Sequence, residues 1–163
     1  IVEDAVSLVQ GAAQRRKVAI RVDIEEDMPP IPVDQTAILQ VLLNILNNAV
    51  EAAPSKTGIV AILASIPRSG DSVRISIEDN GPGIDSSQRE AVFRAFHSTK
   101  GQRGTGLGLA VSRKIILEHQ GTINILDAPH GGTLFNIYLP LGREDDPGDT
   151  RGPATIDDPN SFL

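Results

Sequence analysis

The 163-residue chain contains no cysteine and no tryptophan, and aromatic residues make up only 3 % of it. Without cysteine there is neither a disulfide framework nor a thiolate metal site, a composition that suits a reducing compartment. With one tyrosine and four phenylalanines, the core has to be built from Leu, Ile, Val and Ala. No apolar run approaches the roughly 20 residues of a membrane span, and the chain does not open on a signal-peptide pattern. Basic residues are also short: 15 Lys and Arg stand against 21 Asp and Glu, a net charge of −6. That sign argues against a nucleic-acid backbone as the main partner. The deficit is uneven, because residues 143–163 hold six acidic and two basic side chains, −4 of the −6. This stretch, REDDPGDTRGPATIDDPNSFL, is polar and rich in Gly and Pro and reads as a tail or linker. Residues 1–142 are the size of one domain.

What is present alternates cleanly. IVEDAVSLVQGAAQRR (1–16) has apolar residues at helical spacing and ends in bases suited to a helix C-terminus. VAIRVDIE (18–25) alternates as a half-buried strand and is stopped by DMPPIP. Asp34 is placed to cap a long helix running to about Ala53, where Pro54 ends it. GIVAILASI (58–66) and SVRISIED (72–79) read as strands. A Gly-rich stretch, about 80–104, follows, with a short helical candidate at SSQREAVF. TGLGLAVSRKIILEHQ (105–120) reads as a helix with Gly121 as its expected stop, and GTINILD and GTLFNIYLP make a closing strand pair around APHGG. Five strands, mostly antiparallel, with three main helices on one face give an α/β two-layer sandwich.

Three stretches carry chemistry. LNILNNAVEA (43–52) places Asn44, Asn47 and Asn48 in a helix that is otherwise apolar, although Asn is a poor helix former. At about 100° per residue, Gln40, Asn47, Asn48 and Glu51 lie within roughly 60° of Asn44. Leu39, Leu42, Leu43, Leu46 and Val50 take the other side. A merely solvated face is the plainer reading, weakened here because such faces usually carry Lys, Glu and Arg. Neutral amides offer an oxygen to a metal and an NH2 to a phosphate without adding charge. DNGPGI (79–84) puts a carboxylate at the mouth of a strand, where Asp79 suits the exocyclic amine of a flat base and Ile84 its ring. Gly81 and Gly83 let backbone come close. GQRGTGLGL (101–109) leads into a helix N-terminus, a natural phosphate site. It is neither a Walker A loop nor a dinucleotide fingerprint.

In this order the stretches resemble the catalytic, ATP-binding domain of sensor histidine kinases, in the superfamily that includes gyrase, heat-shock chaperone and mismatch-repair ATPases. NILNNAVEA is similar to the asparagine box, DNGPGI and GTGLGLAVSRKII to the two glycine boxes, VFRAFHSTK to the phenylalanine box, and GGTLFNIYLP to the final strand. The resemblance covers about residues 1–140, and STKGQRGTGLGL is nearest in wording to nitrogen-regulation-type kinases. It implies a Bergerat-type sandwich with a mobile ATP lid at about 85–104, ATP and Mg²⁺ as cofactors, and residues 1–142 as the catalytic domain.

Residue by residue, the resemblance gives Asn48 the metal, with Asn44 assisting at metal and phosphates. Asp79 takes the adenine amine, helped through water by Thr133, and Gly81 and Gly83 shape the adenine edge. Gly104, Thr105, Gly106, Leu107 and Gly108 hold phosphates. Lys100 reaches the γ-phosphate from the lid, which Phe93 and Phe96 anchor. Asn47 is expected only to hydrate the rim. Hydrolysing relatives carry Glu four residues before the second Asn, as a base for water. Here Asn44 stands there, and it cannot accept a proton. The expected reaction is therefore phosphoryl transfer to a histidine, with slight ATPase activity.

None of His97, His119 and His130 has the context of a phosphoacceptor. The acceptor is expected on a separate dimerisation domain, with Ile1 beginning just after it and a response regulator further downstream. The fragment is expected to be monomeric and cytoplasmic, without membrane contact of its own, even where the full-length protein is membrane-anchored. Two other readings stay open: a nucleotide-binding regulatory module without transfer activity, and a serine kinase or ATPase of the same superfamily.

Overall fold

A computed structural model describes residues 1–95 and 106–142. The elements run α1 (Val2–Arg16), β1 (Ala19–Ile24), α2 (Gln35–Ala52), β2 (Ile59–Ser65), β3 (Ser72–Asp79), α3 (Gly108–Glu118), β4 (Thr122–Asp127) and β5 (Thr133–Pro140). The five strands form one sheet in the order β1-β2-β3-β5-β4. Only β1 and β2 pair in parallel, which requires a crossover, and α2 supplies it.

The register explains why one face is dry. Val22, Ile62, Ile77, Phe135 and Ile125 form one row across the sheet, and Ile24, Ala64, Ile75, Ile137 and Ile123 the next. In β2, β3, β4 and β5 these residues are buried, while their neighbours along each strand are exposed or half-buried, except Asn136 of β5, which is buried as well. Period-two alternation in the sequence is thus the two faces of the sheet. All three helices lie on the dry face, with α2 in the middle, packed on both α1 and α3. Being central, α2 buries more of its circumference than a single stripe: Ile38, Val41, Leu42, Ile45, Leu46, Ala49 and Val50. Leu39 and Leu43 only border the core.

Both ends of α2 are tied. The Asp34 carboxylate accepts from the amides of Thr36 (2.9 Å) and Ala37 (3.1 Å), a cap worth about 1 kcal/mol. The last turn of α2 carries no basic residue of its own. Arg16 of α1 supplies one from outside: its Nε donates to Val50 O at 3.0 Å and an Nη to Glu51 O (3.0 Å) and Ala53 O (3.2 Å). A guanidinium thus meets the carbonyls and negative dipole end that a helix leaves unpaired.

Two sequence expectations are corrected. SSQREAVF is not one short helix but two separate 3₁₀ turns, Ser86–Gln88 and Ala91–Phe93. Gly121 is not the left-handed stop of α3. Gln120 takes that conformation, at φ 57°. Gly121 is needed for closeness, since a Cβ there would fall 2.4 Å from Tyr138 O. The expected tail, 143–163, and the second half of the expected lid, 96–104, lie outside the described residues. Among the described residues no helix is long and apolar enough to cross a membrane.

Candidate functional site

The site forms where the C-terminal end of β3, the β4–β5 turn, the later half of α2 and the start of α3 meet. β3 places Asp79 by simple alternation. Val73, Ile75, Ile77 and Asp79 share the core-facing side, so the last of them is drawn inward although it is an acid. It is 2 % exposed. Three donors compensate it: the Gly81 amide at 2.8 Å, and the amide and hydroxyl of Thr133. Burial nevertheless raises its pKa above the ordinary 3.8, with the hydrogen bonds from Gly81 and Thr133 acting in the opposite direction.

Two glycines make this packing possible. A Cβ on Gly81 would lie 2.7 Å from both Asp79 Oδ1 and Ala52 O, so the loop wraps the carboxylate against the end of α2. At Gly132, φ is +104° and a Cβ would meet the backbone oxygen and carbon of Asp79. We expect Gly132→Ala to displace the turn from Asp79 and to cost about 3 kcal/mol or more of stability, from strain and backbone overlap together. Urea unfolding checks this, and an unchanged midpoint contradicts it.

Asn80, the second residue of DNGPGI, faces away from this pocket. Its Oδ1 accepts from the Ile59 amide at 2.8 Å and its Nδ2 donates to Thr57 O at 3.1 Å, stitching the loop to the start of β2. Gly83 packs against Gly132, 3.2 Å separating its would-be Cβ from Gly132 O. Ile84 is half-buried against the core.

On the α2 wall, Asn44 and Asn48 stand one turn apart, both half-buried. The Asn44 Nδ2 donates to Gly108 O and to Ser112 Oγ, each at 3.3 Å. Asn47 is exposed and borders a groove with Ala12, Arg15 and Arg16 of α1, so it belongs to the α1 side rather than to the rim of this site. Gly106 (φ +64°) and Leu107 lead into α3, whose first turn has no side-chain cap. Its unpaired N–H groups are of the kind anions bind.

The segment between is partly secured. Asp85 caps the first 3₁₀ turn through Ser87, Arg89 pairs with Asp127 of β4, and Glu90 pairs with Arg113 of α3 at 2.8 Å. Arg113 also stacks over the buried Phe93 ring, 5.1 Å from its centroid. Residues 85–95, the first half of the expected mobile lid, are therefore held down on β4 and α3. Phe96, Lys100, Gly104 and Thr105, and with them His97, lie outside the described residues. His130 is exposed in the β4–β5 turn, and His119 joins α3 to the start of α2 by accepting from the Asp34 amide at 3.0 Å.

Known proteins share this arrangement. The sequence profile of the histidine kinase-, DNA gyrase B-, and HSP90-like ATPase family matches residues 33–143. The chain belongs to this ATPase family. Among its relatives, the signal transduction histidine-protein kinase AtoS of Escherichia coli is 40 % identical over 144 residues, 88 % of this chain and 23 % of AtoS. The chain thus spans about a quarter of the length of that kinase. Among solved structures, the nucleotide-free catalytic domain of histidine kinase ThkA superposes with a TM-score of 0.75 at 30 % identity, covering 85 % of this chain and 90 % of that one. Full-length ShkA in complex with AMPPNP gives 0.77 at 28 % identity, over 86 % of this chain and 29 % of ShkA.

Sequence reasoning missed Arg16, Gly132 and Ser112 as parts of this candidate site or its frame. The doubled glycine of APHGG was a signal for the second of them. The other two depend on which helices end up side by side, which no local pattern states.

Proposed function

We propose that this chain binds ATP with Mg²⁺ and transfers the γ-phosphoryl group to a histidine on a dimerisation domain, within two-component signalling. Residues 1–142 would be the catalytic unit and 143–163 an acidic linker or tail. Asp79 accepts from the adenine amine, with Thr133 and Gly81 orienting its carboxylate. Gly83 and Ile84 border the ring. The start of α3, from Gly104 and Thr105 through Gly106, Leu107 and Gly108, cradles the phosphates, and Lys100 and Phe96 belong to the lid over them.

The donors fit the metal. Asn48 and Asn44 present neutral amide oxygens, hard ligands suited to a cation that keeps waters and takes further ligands from substrate phosphates. Bound Mg²⁺ would supply charge neutralisation on the nucleotide's phosphates. The protein's own share is positioning: Asp79 orients the base, and the backbone donors of α3 hold the phosphates where an acceptor can approach in line.

The observation that carries transfer over hydrolysis is the contact of Asn44 with Gly108. It puts an amide, not a carboxylate, against the start of α3. That side chain has no basic lone pair with which to activate water, whereas a neutral imidazole brings its own. The test mixes the chain with a separately made histidine-bearing dimerisation domain, Mg²⁺ and γ-labelled ATP. Acid-labile, base-stable label on the acceptor is expected, with little free phosphate. Acid-stable label would favour a serine kinase, label released as phosphate an ATPase, and binding without either a regulatory module.

A further inference from the structure

Four polar or charged residues are buried among the described residues: Asp79, Ser112, Thr133 and Asn136. Asp79 and Thr133 serve each other, and Asn136 accepts from Ser76 at 2.6 Å. Ser112 remains. It is 0 % exposed and shares the inner stripe of α3 with Ile116. An aliphatic residue there would bury without the cost of desolvating a hydroxyl. The hydroxyl stands where α3 passes Asn44, and it accepts from the Asn44 Nδ2.

The partners determine which way the Asn44 amide points. Gly108 O is a backbone carbonyl and can only accept, so the group facing it is the NH2. Ser112 Oγ lies within reach of the same nitrogen. An amide NH2 has two protons, and two acceptors use both. One acceptor alone leaves the amide free to turn about a bond whose torsional preference is broad. Two acceptors on the same nitrogen hold it.

We propose that Ser112 is a positioning residue for the metal: it fixes the Asn44 amide with its nitrogen spent on α3 and its oxygen as the only atom offered to Mg²⁺ or a water on it. Asn44 then acts solely as an acceptor and gives no hydrogen bond to phosphate. This rests on the reading of Asn44 as part of the ATP·Mg²⁺ site.

Ser112→Thr and Ser112→Val test it, since the two have nearly the same volume and differ in the hydroxyl. The readout is the gain in AMPPNP affinity on adding Mg²⁺, measured as the ratio of Kd in EDTA to Kd in Mg²⁺. We expect Val to reduce that ratio about three- to tenfold relative to Thr, the scale of one buried hydrogen bond, with affinity in EDTA alike in both. Asn44→Ala should reduce it as well. Equal ratios in Thr and Val, with a reduced one in Asn44→Ala, overturn the role of Ser112. An unchanged ratio in Asn44→Ala overturns the underlying reading of Asn44 instead. Should neither Ser112 variant melt cooperatively, the unmutated chain decides by NMR. Both Asn44 Nδ2 protons should be protected from exchange with and without Mg²⁺·AMPPNP, and loss of protection on adding the nucleotide overturns the proposal.

Discussion

Replacing Asp79 with Asn is expected to weaken adenine-nucleotide binding by roughly 10- to 150-fold, the range for one hydrogen bond to a charged group. The variant is nearly isosteric and keeps an oxygen to accept from Gly81, so the fold should persist. What it loses is the charge proposed to draw the exocyclic amine. The loss should appear with and without Mg²⁺, because it concerns the base. Calorimetric titration with ADP in EDTA isolates it, and affinity within threefold of the parent would remove Asp79 from the adenine site.

The same residue yields a pH signature. Burial holds its folded pKa above the ordinary 3.8. Between those two values the folded chain keeps a proton that the unfolded chain has released, so this group lowers stability as pH rises through that interval. At neutral pH the buried carboxylate is therefore a cost to the nucleotide-free fold, and Asp79→Asn should unfold at slightly higher urea, a usual trade at functional sites. Binding runs the other way. On the proposed reading the ionised form recognises the amine, so affinity should fall as pH drops through the raised pKa, and Asp79→Asn should lose that dependence.

Replacing Asn48 with Ala should separate metal from base. Ala is the better helix former, so α2 has no reason to fray, and Arg16 still holds its last carbonyls. Affinity for nucleotide in EDTA should stay within a few-fold. Phosphoryl transfer should fall about 10²- to 10³-fold, the scale of removing one preorganised electrostatic contact from a transition state. Single-turnover transfer from labelled ATP to the acceptor domain measures this. A rate within tenfold of the parent would mean that the metal is held elsewhere.

Much of the frame was legible because it rests on local periodicity. The alternation of SVRISIED and GTLFNIYLP is the two-faced sheet, and the same alternation put Asp79 on the inner side. The Asp34 cap could be read because it acts within three residues. What stayed hidden is non-local. Gly121 looks like a helix stop until Tyr138 O is seen pressed against it. Arg16 looks like a complement to its own helix and instead holds α2. The spacing of SSQREAVF suits a helix, yet the chain is pulled into two turns by Arg89 reaching β4 and Glu90 reaching α3. Asn47 shares a face with Asn44 on a helical wheel but falls to the α1 side, because α2 is flanked by both other helices. Within the site, the glycine and asparagine boxes named the walls. Ser112 became visible only when α3 was laid across Asn44.

The claim that these walls form one ATP·Mg²⁺ site is tested most directly by NMR titration of the chain with AMPPNP, first in EDTA and then with Mg²⁺. In EDTA the amides of Gly81, Gly83 and Thr133 and those at the start of α3 should shift together. Adding Mg²⁺ should then move the side-chain amide signals of Asn44 and Asn48. Shifts centred instead on Ala12, Arg15 and Asn47 in the α1–α2 groove, with Gly81 and Thr133 unmoved, would contradict the account.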